Sequence, residues 1–210
     1  IANTALDPND SFVYDKAGRL KSSTDALGYT ESYTYDGAGN KLTFTNKKGA
    51  TWTYEYDNSG RLTKETSPQV AITTTSVGSG GNLVTAVPVT AALVTQMTYD
   101  ALGNLVSRTE GWGRPEARTT QYQYDKLGRQ IKTIFPPVAV YNAATDTVAG
   151  LTAASDAGSV ATLETTKTLS SQVFYDTFGN AVANIDVAGN LSLKAYDKSG
   201  HVTYDVDALG

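Results

Sequence analysis

Residues 33–46 read "YTYDGAGNKLTFTN". Two tyrosines one residue apart run into an Asp-x-x-Gly, and alternation of large and small side chains resumes after it. Nearly the same phrase returns as "YEYDNSGRLTKETS" and as "YQYDKLGRQIKTIF". A motif seen once could be a site, whereas one that recurs at a fixed interval describes architecture.

The copies begin at Tyr14-Asp15, Tyr35-Asp36, Tyr56-Asp57, Tyr99-Asp100, Tyr124-Asp125, Tyr175-Asp176 and Tyr196-Asp197. Each is followed, three residues after the Asp, by a glycine: Gly18, Gly39, Gly60, Gly103, Gly128, Gly179 and Gly200. The first three copies are 21 residues apart, as are the last two. A weaker phrase sits ten residues after the Asp in several copies: Asp25-x-x-Gly28, Asn46-x-x-Gly49, Asp186-x-x-Gly189 and Asp207-x-x-Gly210. Each period therefore holds two turns and two short strands.

Turn chemistry accounts for these residue types. Asp or Asn at the first turn position accepts hydrogen bonds from the backbone just ahead of it, and Gly at the fourth supplies positive φ for a bulged hairpin. Before the turn the period is two. Tyr29, Glu31, Tyr33 and Tyr35 share one face, and so do Trp52, Tyr54 and Tyr56, with Thr51, Thr53 and Glu55 opposite. Leu42 and Phe44 resume the alternation. The spacing predicts an all-β fold of antiparallel hairpins on a period of about 21 residues.

Two intervals are longer. From Tyr56 to Tyr99 is 43 residues, and "VGSGGNLVT" at 77–85 reads as a degenerate repeat that has lost its Tyr-Asp. From Tyr124 to Tyr175 is 51 residues, containing Pro136-Pro137 and an Ala/Thr-rich run, which predicts an irregular insertion within 136–160. Residues 1–210 are expected to form a single array, and the opening "IANTALDPND" reads as part of a longer protein.

Composition supports a β reading and narrows function. The chain has 13 Tyr and 19 Gly but one Met, one His and no Cys. Tyr and Thr favour strands, and Gly favours turns. Without Cys there is no disulfide and no Cys-based zinc site. A net charge of −4 and no basic stripe argue against nucleic acid. No apolar run approaches the ~20 residues of a membrane helix.

The phrase "YDxxGRLxxxTDxxGxxxxYxYD" resembles the YD repeat of the Rhs proteins, the C components of insecticidal Tc toxins, wall-associated polymorphic toxins and, more distantly, the teneurins. The resemblance extends along essentially the whole chain. It implies a strip of β-hairpins that spirals into a hollow shell, which in the toxins encloses a C-terminal toxic domain. It also implies flanking repeats of the same longer chain and an enclosed toxin or effector as partners, and bacterial export to the surface or medium. The family's cleavage element, a "DPxGxxGG"-like context, is not found. "LDPND" at 6–10 shares only Asp-Pro.

Other residues carry weaker signals. His201 takes the slot held by Arg19, Asn40, Arg61, Asn104, Arg129 and Asn180 in other copies, which reads as a polar surface position after a turn. Asp205 and Asp207 share a strand face, but Asp207 is already a turn Asp. Gly78, Gly80 and Gly81 fit no phosphate-loop spacing, and Lys47-Lys48 is too small for a polyanion site. Asn9 and Asn190 match the glycosylation acceptor pattern. Calcium-loop spacings are absent. No catalytic residue, cofactor or metal is expected, and the repeated Tyr, Asp and Gly are assigned as a structural motif. The aromatic rows leave two readings open: glue between successive hairpins, or a stacking surface for glycans or a cell-surface partner. The primary expectation is a structural wall segment that encapsulates or presents another polypeptide. The alternative is an exported adhesion module.

Overall fold

Alternating Thr and aromatic residues between Asp-x-x-Gly turns fold as short strands, and the computed structural model has twenty among its described residues. It describes residues 10–73, 75–77, 83–85, 89–141 and 164–209. The strands are β1 (Ser11–Tyr14), β2 (Leu20–Thr24), β3 (Thr30–Tyr35), β4 (Lys41–Thr45), β5 (Thr51–Tyr56), β6 (Leu62–Thr66), β7 (Val70–Ile72), β8 (Thr75–Val77), β9 (Leu83–Thr85) and β10 (Val89–Ala91). They continue as β11 (Val94–Tyr99), β12 (Leu105–Glu110), β13 (Arg118–Tyr124), β14 (Gln130–Ile134), β15 (Val138–Tyr141), β16 (Glu164–Lys167), β17 (Ser170–Tyr175), β18 (Ala181–Ile185), β19 (Leu191–Tyr196) and β20 (Val202–Val206). No helix occurs among the described residues, and the fold is all-β and antiparallel.

Hydrogen bonding orders fourteen strands as β1-β2-β3-β4-β5-β6-β11-β12-β13-β14-β17-β18-β19-β20. The chain divides into two units. The first comprises residues 1–74, 87–97 and 110–115, and the second 75–86, 98–109 and 116–210.

The strand order explains the long intervals. Ser67 stands ten residues after Asp57, the place held by Asp25 and Asn46 in the first two repeats. There the closing bond of the short turn, Asp25 N–H to the Tyr29 carbonyl, has its counterpart in Ser67 N–H to the Leu93 carbonyl at 2.8 Å. Between them, β7 pairs with β10 and β8 with β9, apart from the fourteen strands. The segment expected as a degenerate repeat at 77–85 thus contributes no strand to that order. Residues 78–82 at its centre lie outside the described residues. The second interval is built alike: Phe135 N–H donates to the Leu169 carbonyl at 2.9 Å, and β15 pairs with β16. Most of the expected insertion, 142–160, lies outside the described residues. In both places the bond that closes a short turn in other repeats joins the two ends of the interval.

In the first unit the register sorts side chains cleanly. On one face Thr24 meets Thr30, Thr34 meets Thr43, and Thr45 meets Thr51, with hydroxyl pairs at 2.6–2.8 Å. The other face carries Tyr33, Phe44 and Trp52 in one cross-strand row. Their rings stack at centroid distances of 5.2 and 5.4 Å. The step from Phe44 to Trp52 crosses from one hairpin to the next, so the stack joins successive repeats. Cross-strand aromatic pairs of this kind stabilise a sheet by about 0.5–1.5 kcal/mol each beyond area burial. The alternation expected in β5 is observed: Trp52, Tyr54 and Tyr56 are half-buried, while Thr51, Thr53 and Glu55 are exposed.

These aromatic rows are half-buried. Among the described residues none is fully buried. A single sheet layer has solvent on both sides, so contacts between neighbouring side chains replace a central core.

Candidate functional site

The seven Tyr-Asp-x-x-Gly motifs do not converge on one point. Each closes its own hairpin, and within each unit the structure stacks neighbouring turns one beside the next.

Within a turn the Asp side chain is fully occupied. In the first copy Asp15 Oδ1 accepts from the backbone N–H of Ala17 at 2.8 Å and of Arg19 at 3.0 Å, and Oδ2 accepts from Arg19 Nε at 2.7 Å. Asp57 and Asp125 repeat the arrangement with Arg61 and Arg129. In Asp36, Asp100 and Asp176 the Oδ2 partner is the Asn side-chain amide four residues on, at 2.8–2.9 Å. The backbone closes the same loop: Asp36 N–H donates to the Asn40 carbonyl at 2.9 Å, and Gly39 N–H to the Asp36 carbonyl at 3.2 Å. Gly39 has φ +97°, a conformation open to Gly and costly for other residues.

These bonds hold the turn carboxyls below the ordinary value of 3.8. For Asp36 the largest contribution is the Asn40 amide, and for Asp57 it is the Arg61 backbone N–H, in each case against partial desolvation. A carboxylate that already accepts this many hydrogen bonds is a poor general base and has few lone pairs left for a cation. Among the described residues no cluster of His, Asp or Glu could hold a metal ion.

The motif Tyr sits where the register shifts, opposite the first residue of the next strand. Tyr35 faces Lys41 and Tyr56 faces Leu62, each one step beyond the regular ladder. Its hydroxyl reaches back to the preceding repeat. Tyr35 donates to the Leu20 carbonyl at 2.9 Å, Tyr56 to Lys41 at 3.0 Å, Tyr124 to Leu105 at 2.9 Å and Tyr196 to Ala181 at 3.0 Å. Tyr175 reaches the Gln130 carbonyl at 3.4 Å, across the longer interval. The acceptor in each case is the second residue after the previous glycine. Partial burial pushes the Tyr56 and Tyr124 phenols up. Tyr56→Phe is expected to cost about 1 kcal/mol, the worth of one such bond, read as a lower denaturation midpoint. An unchanged midpoint would show that this bond adds nothing.

Sequence reading understated the slot four residues after the Asp. It holds Arg, Asn or His, which share a planar N–H that reaches Oδ2, and that shared chemistry was the available signal. His201 conforms weakly: Nδ1 lies 3.3 Å from Asp197 Oδ2, with a side chain 80% exposed. Asp205 is paired with Lys194 at 2.9 Å. Lys47 reaches Asp25 in the neighbouring turn at 2.8 Å, which ties one repeat to the next rather than forming a basic spot.

An open hollow of about 920 Å³ lies between two successive turns of the first unit and is lined by Asp36, Asn40, Tyr54, Tyr56, Asp57 and Gly60 among others. Of its acids, Asp36 and Asp57 are committed to the turns, and Glu55 is paired with Lys64 at 2.8 Å.

Residues 14–45 and 42–69 match the family model described as the RHS repeat. No curated relative matches the chain. Among solved structures, the crystal structure of TcdB2-TccC3 without its hypervariable C-terminal region matches with a TM-score of 0.58 and 15% identity, over 97% of this chain. This chain spans 9% of that one. The crystal structure of TcdB2-TccC3 matches at 14% identity over 93% of this chain and 14% of that one, with a TM-score of 0.26. The Photorhabdus luminescens Tc holotoxin pore matches at 13% identity over the same shares, also with a TM-score of 0.26. The first of these establishes a common fold.

Proposed function

We propose, from the match of residues 14–69 to the RHS-repeat model and the fold shared with the TcdB2-TccC3 structure, that this array is a stretch of RHS-type wall whose task is to enclose or present another polypeptide. The observation that carries the proposal is the use of the motif residues. Asp, Gly, Tyr and the slot residue are all spent on closing a hairpin or tying it to its predecessor. Such a surface is built to extend, and extension is what a container requires. The longer protein would supply flanking repeats, the cargo and the signal for export. Among the described residues no helix is long and apolar enough to cross a membrane.

The glycan-binding alternative is less well supported. Tyr33, Phe44 and Trp52 stack face to face, with interplanar angles of 21° and 24°, so Phe44 between its two neighbours has no free face for a sugar ring.

The test is protease protection in the full-length protein. A polypeptide enclosed by the repeats should survive a protease that digests the same polypeptide expressed alone. It should become sensitive when a turn glycine of the array is replaced by valine. Equal digestion inside and outside the intact array would reject the container. Saturable binding on a glycan array, lost on substituting Trp112 or Tyr204, would favour adhesion instead; both side chains are exposed.

A further inference from the structure

The slot residue alternates along the chain: Arg19, Asn40, Arg61, Asn104, Arg129, Asn180. The two side chains differ in reach. Arg19 holds Asp15 with Nε at 2.7 Å and extends Nη1 to the Asp36 carbonyl of the following turn at 2.9 Å. Its Cζ lies 4.8 Å from the centroid of the Tyr35 ring. Arg129 does likewise with Tyr175, at 4.5 Å, and its Nη1 stands 3.6 Å from where a Cβ on Gly179 would be. Arg19 and Arg129 therefore each contact their own Asp and the next hairpin together.

Asparagine is too short for this. Asn40 and Asn104 place Nδ2 on their own Asp at 2.8 and 2.9 Å. Toward the next repeat they offer Oδ1 in contact alone, 3.4 and 3.5 Å from the Cβ positions of Gly60 and Gly128. After Asn180 nothing lies within 4 Å of the corresponding position on Gly200. The Tyr hydroxyl bond is present at joints of both kinds, Tyr35 to Leu20 and Tyr56 to Lys41. What distinguishes the joints is the guanidinium, with its stacking on an aromatic face and its charge-assisted hydrogen bond.

We infer that the array opens in steps of two hairpins: arginine joints hold hairpins in pairs, and the asparagine joints at Gly60, Gly128 and Gly200 are the places where pairs part. In a linear array stability is close to a sum of nearest-neighbour terms, so alternating joint strength sets where local opening starts. The period of opening is thus twice the period of the fold. A wall that must release what it holds would open at these joints first.

Native-state hydrogen exchange on the full chain reads this directly. The reporters are the amides that close the turns: Asp36 and Gly39 behind Arg19, and Asp57 and Gly60 behind Asn40. Asn40→Arg gives the third hairpin the grip that the second has, since Tyr56 and the Asp57 carbonyl stand where Tyr35 and the Asp36 carbonyl do. It should slow exchange at Asp57 and Gly60 by about tenfold, or 1.4 kcal/mol. Arg19→Asn should speed exchange at Asp36 and Gly39 by a similar factor and leave the reporters behind Asn40 unchanged. Arg19→Lys keeps the charge without the planar fork and should resemble Arg19→Asn. Should Arg19→Asn fail to fold, Asn40→Arg still decides. Unchanged exchange at Asp57 and Gly60 in Asn40→Arg, or equal acceleration at all four reporters in Arg19→Asn, overturns the inference.

Discussion

Gly39→Val is expected to lower stability by about 1–3 kcal/mol, the range for a residue forced into a sparsely populated backbone region. The glycine has φ +97°, where a β-branched side chain is strained whatever space surrounds it. Space at the Cβ adds no cost of its own, since it would sit 3.7 Å from Arg19 Nη1, an ordinary van der Waals contact. Gly37, two residues earlier in the same turn, supplies the control. It has no positive φ, and nothing lies within 4 Å of its Cβ position. Gly37→Ala should leave the urea midpoint within experimental scatter of the parent. Equal losses from the two variants would show that φ is not what Gly39 is chosen for.

Acid should unfold the array steeply. The carboxyls of Asp15, Asp25, Asp36, Asp57, Asp100, Asp125, Asp176, Asp186 and Asp197 all lie below the ordinary 3.8. The leading causes differ: slot-residue backbone N–H groups for Asp15, Asp57 and Asp197, asparagine amides for Asp36, Asp100, Asp176 and Asp186, and the Lys47 ammonium for Asp25. At Asp125 desolvation is the largest single influence and opposes the shift, but the bonds from Arg129 and Leu127 and the Arg129 charge together outweigh it. A group with a depressed folded pKa binds fewer protons folded than unfolded, so stability rises with pH across that window. The contribution is complete above the unfolded value near 3.8 and is lost as pH falls through the folded values. Thermal midpoints should hardly change from pH 7 to 5 and should drop progressively below pH 4. Asn46, whose Oδ1 accepts from Lys48 and Ala50 N–H without titrating, closes the one short turn of this kind in the first unit that acid does not touch directly. A midpoint at pH 3 equal to that at pH 6 would show that the turn carboxylates contribute no net stability.

Much of the fold is written in local chemistry. A turn is decided by about five consecutive residues, so Asp36, Gly39 and their equivalents specify it wherever they occur. The period-two pattern of "TWTYEY" specifies which side chains share a face. Strand class, hairpin spacing and the structural use of Tyr, Asp and Gly follow from residues close together in sequence. The slot residue was half legible. Its bond to the Asp four residues back is local, and Arg, Asn and His share the donor it needs. Its grip on the following hairpin is not local, because the Asp36 carbonyl lies 17 residues from Arg19 and comes within reach only when the strands align. The Tyr hydroxyl bonds are hidden for the same reason: the acceptor is a backbone carbonyl, which any residue type supplies, so composition carries no trace of it. The long intervals show the same limit. From Tyr56 to Tyr99 the sequence shows only an interval of 43 residues, whereas pairing places β6 beside β11. Local sequence determines where a chain can turn, whereas which strand it returns to depends on hydrogen bonds between residues far apart, and those exist only in the folded sheet.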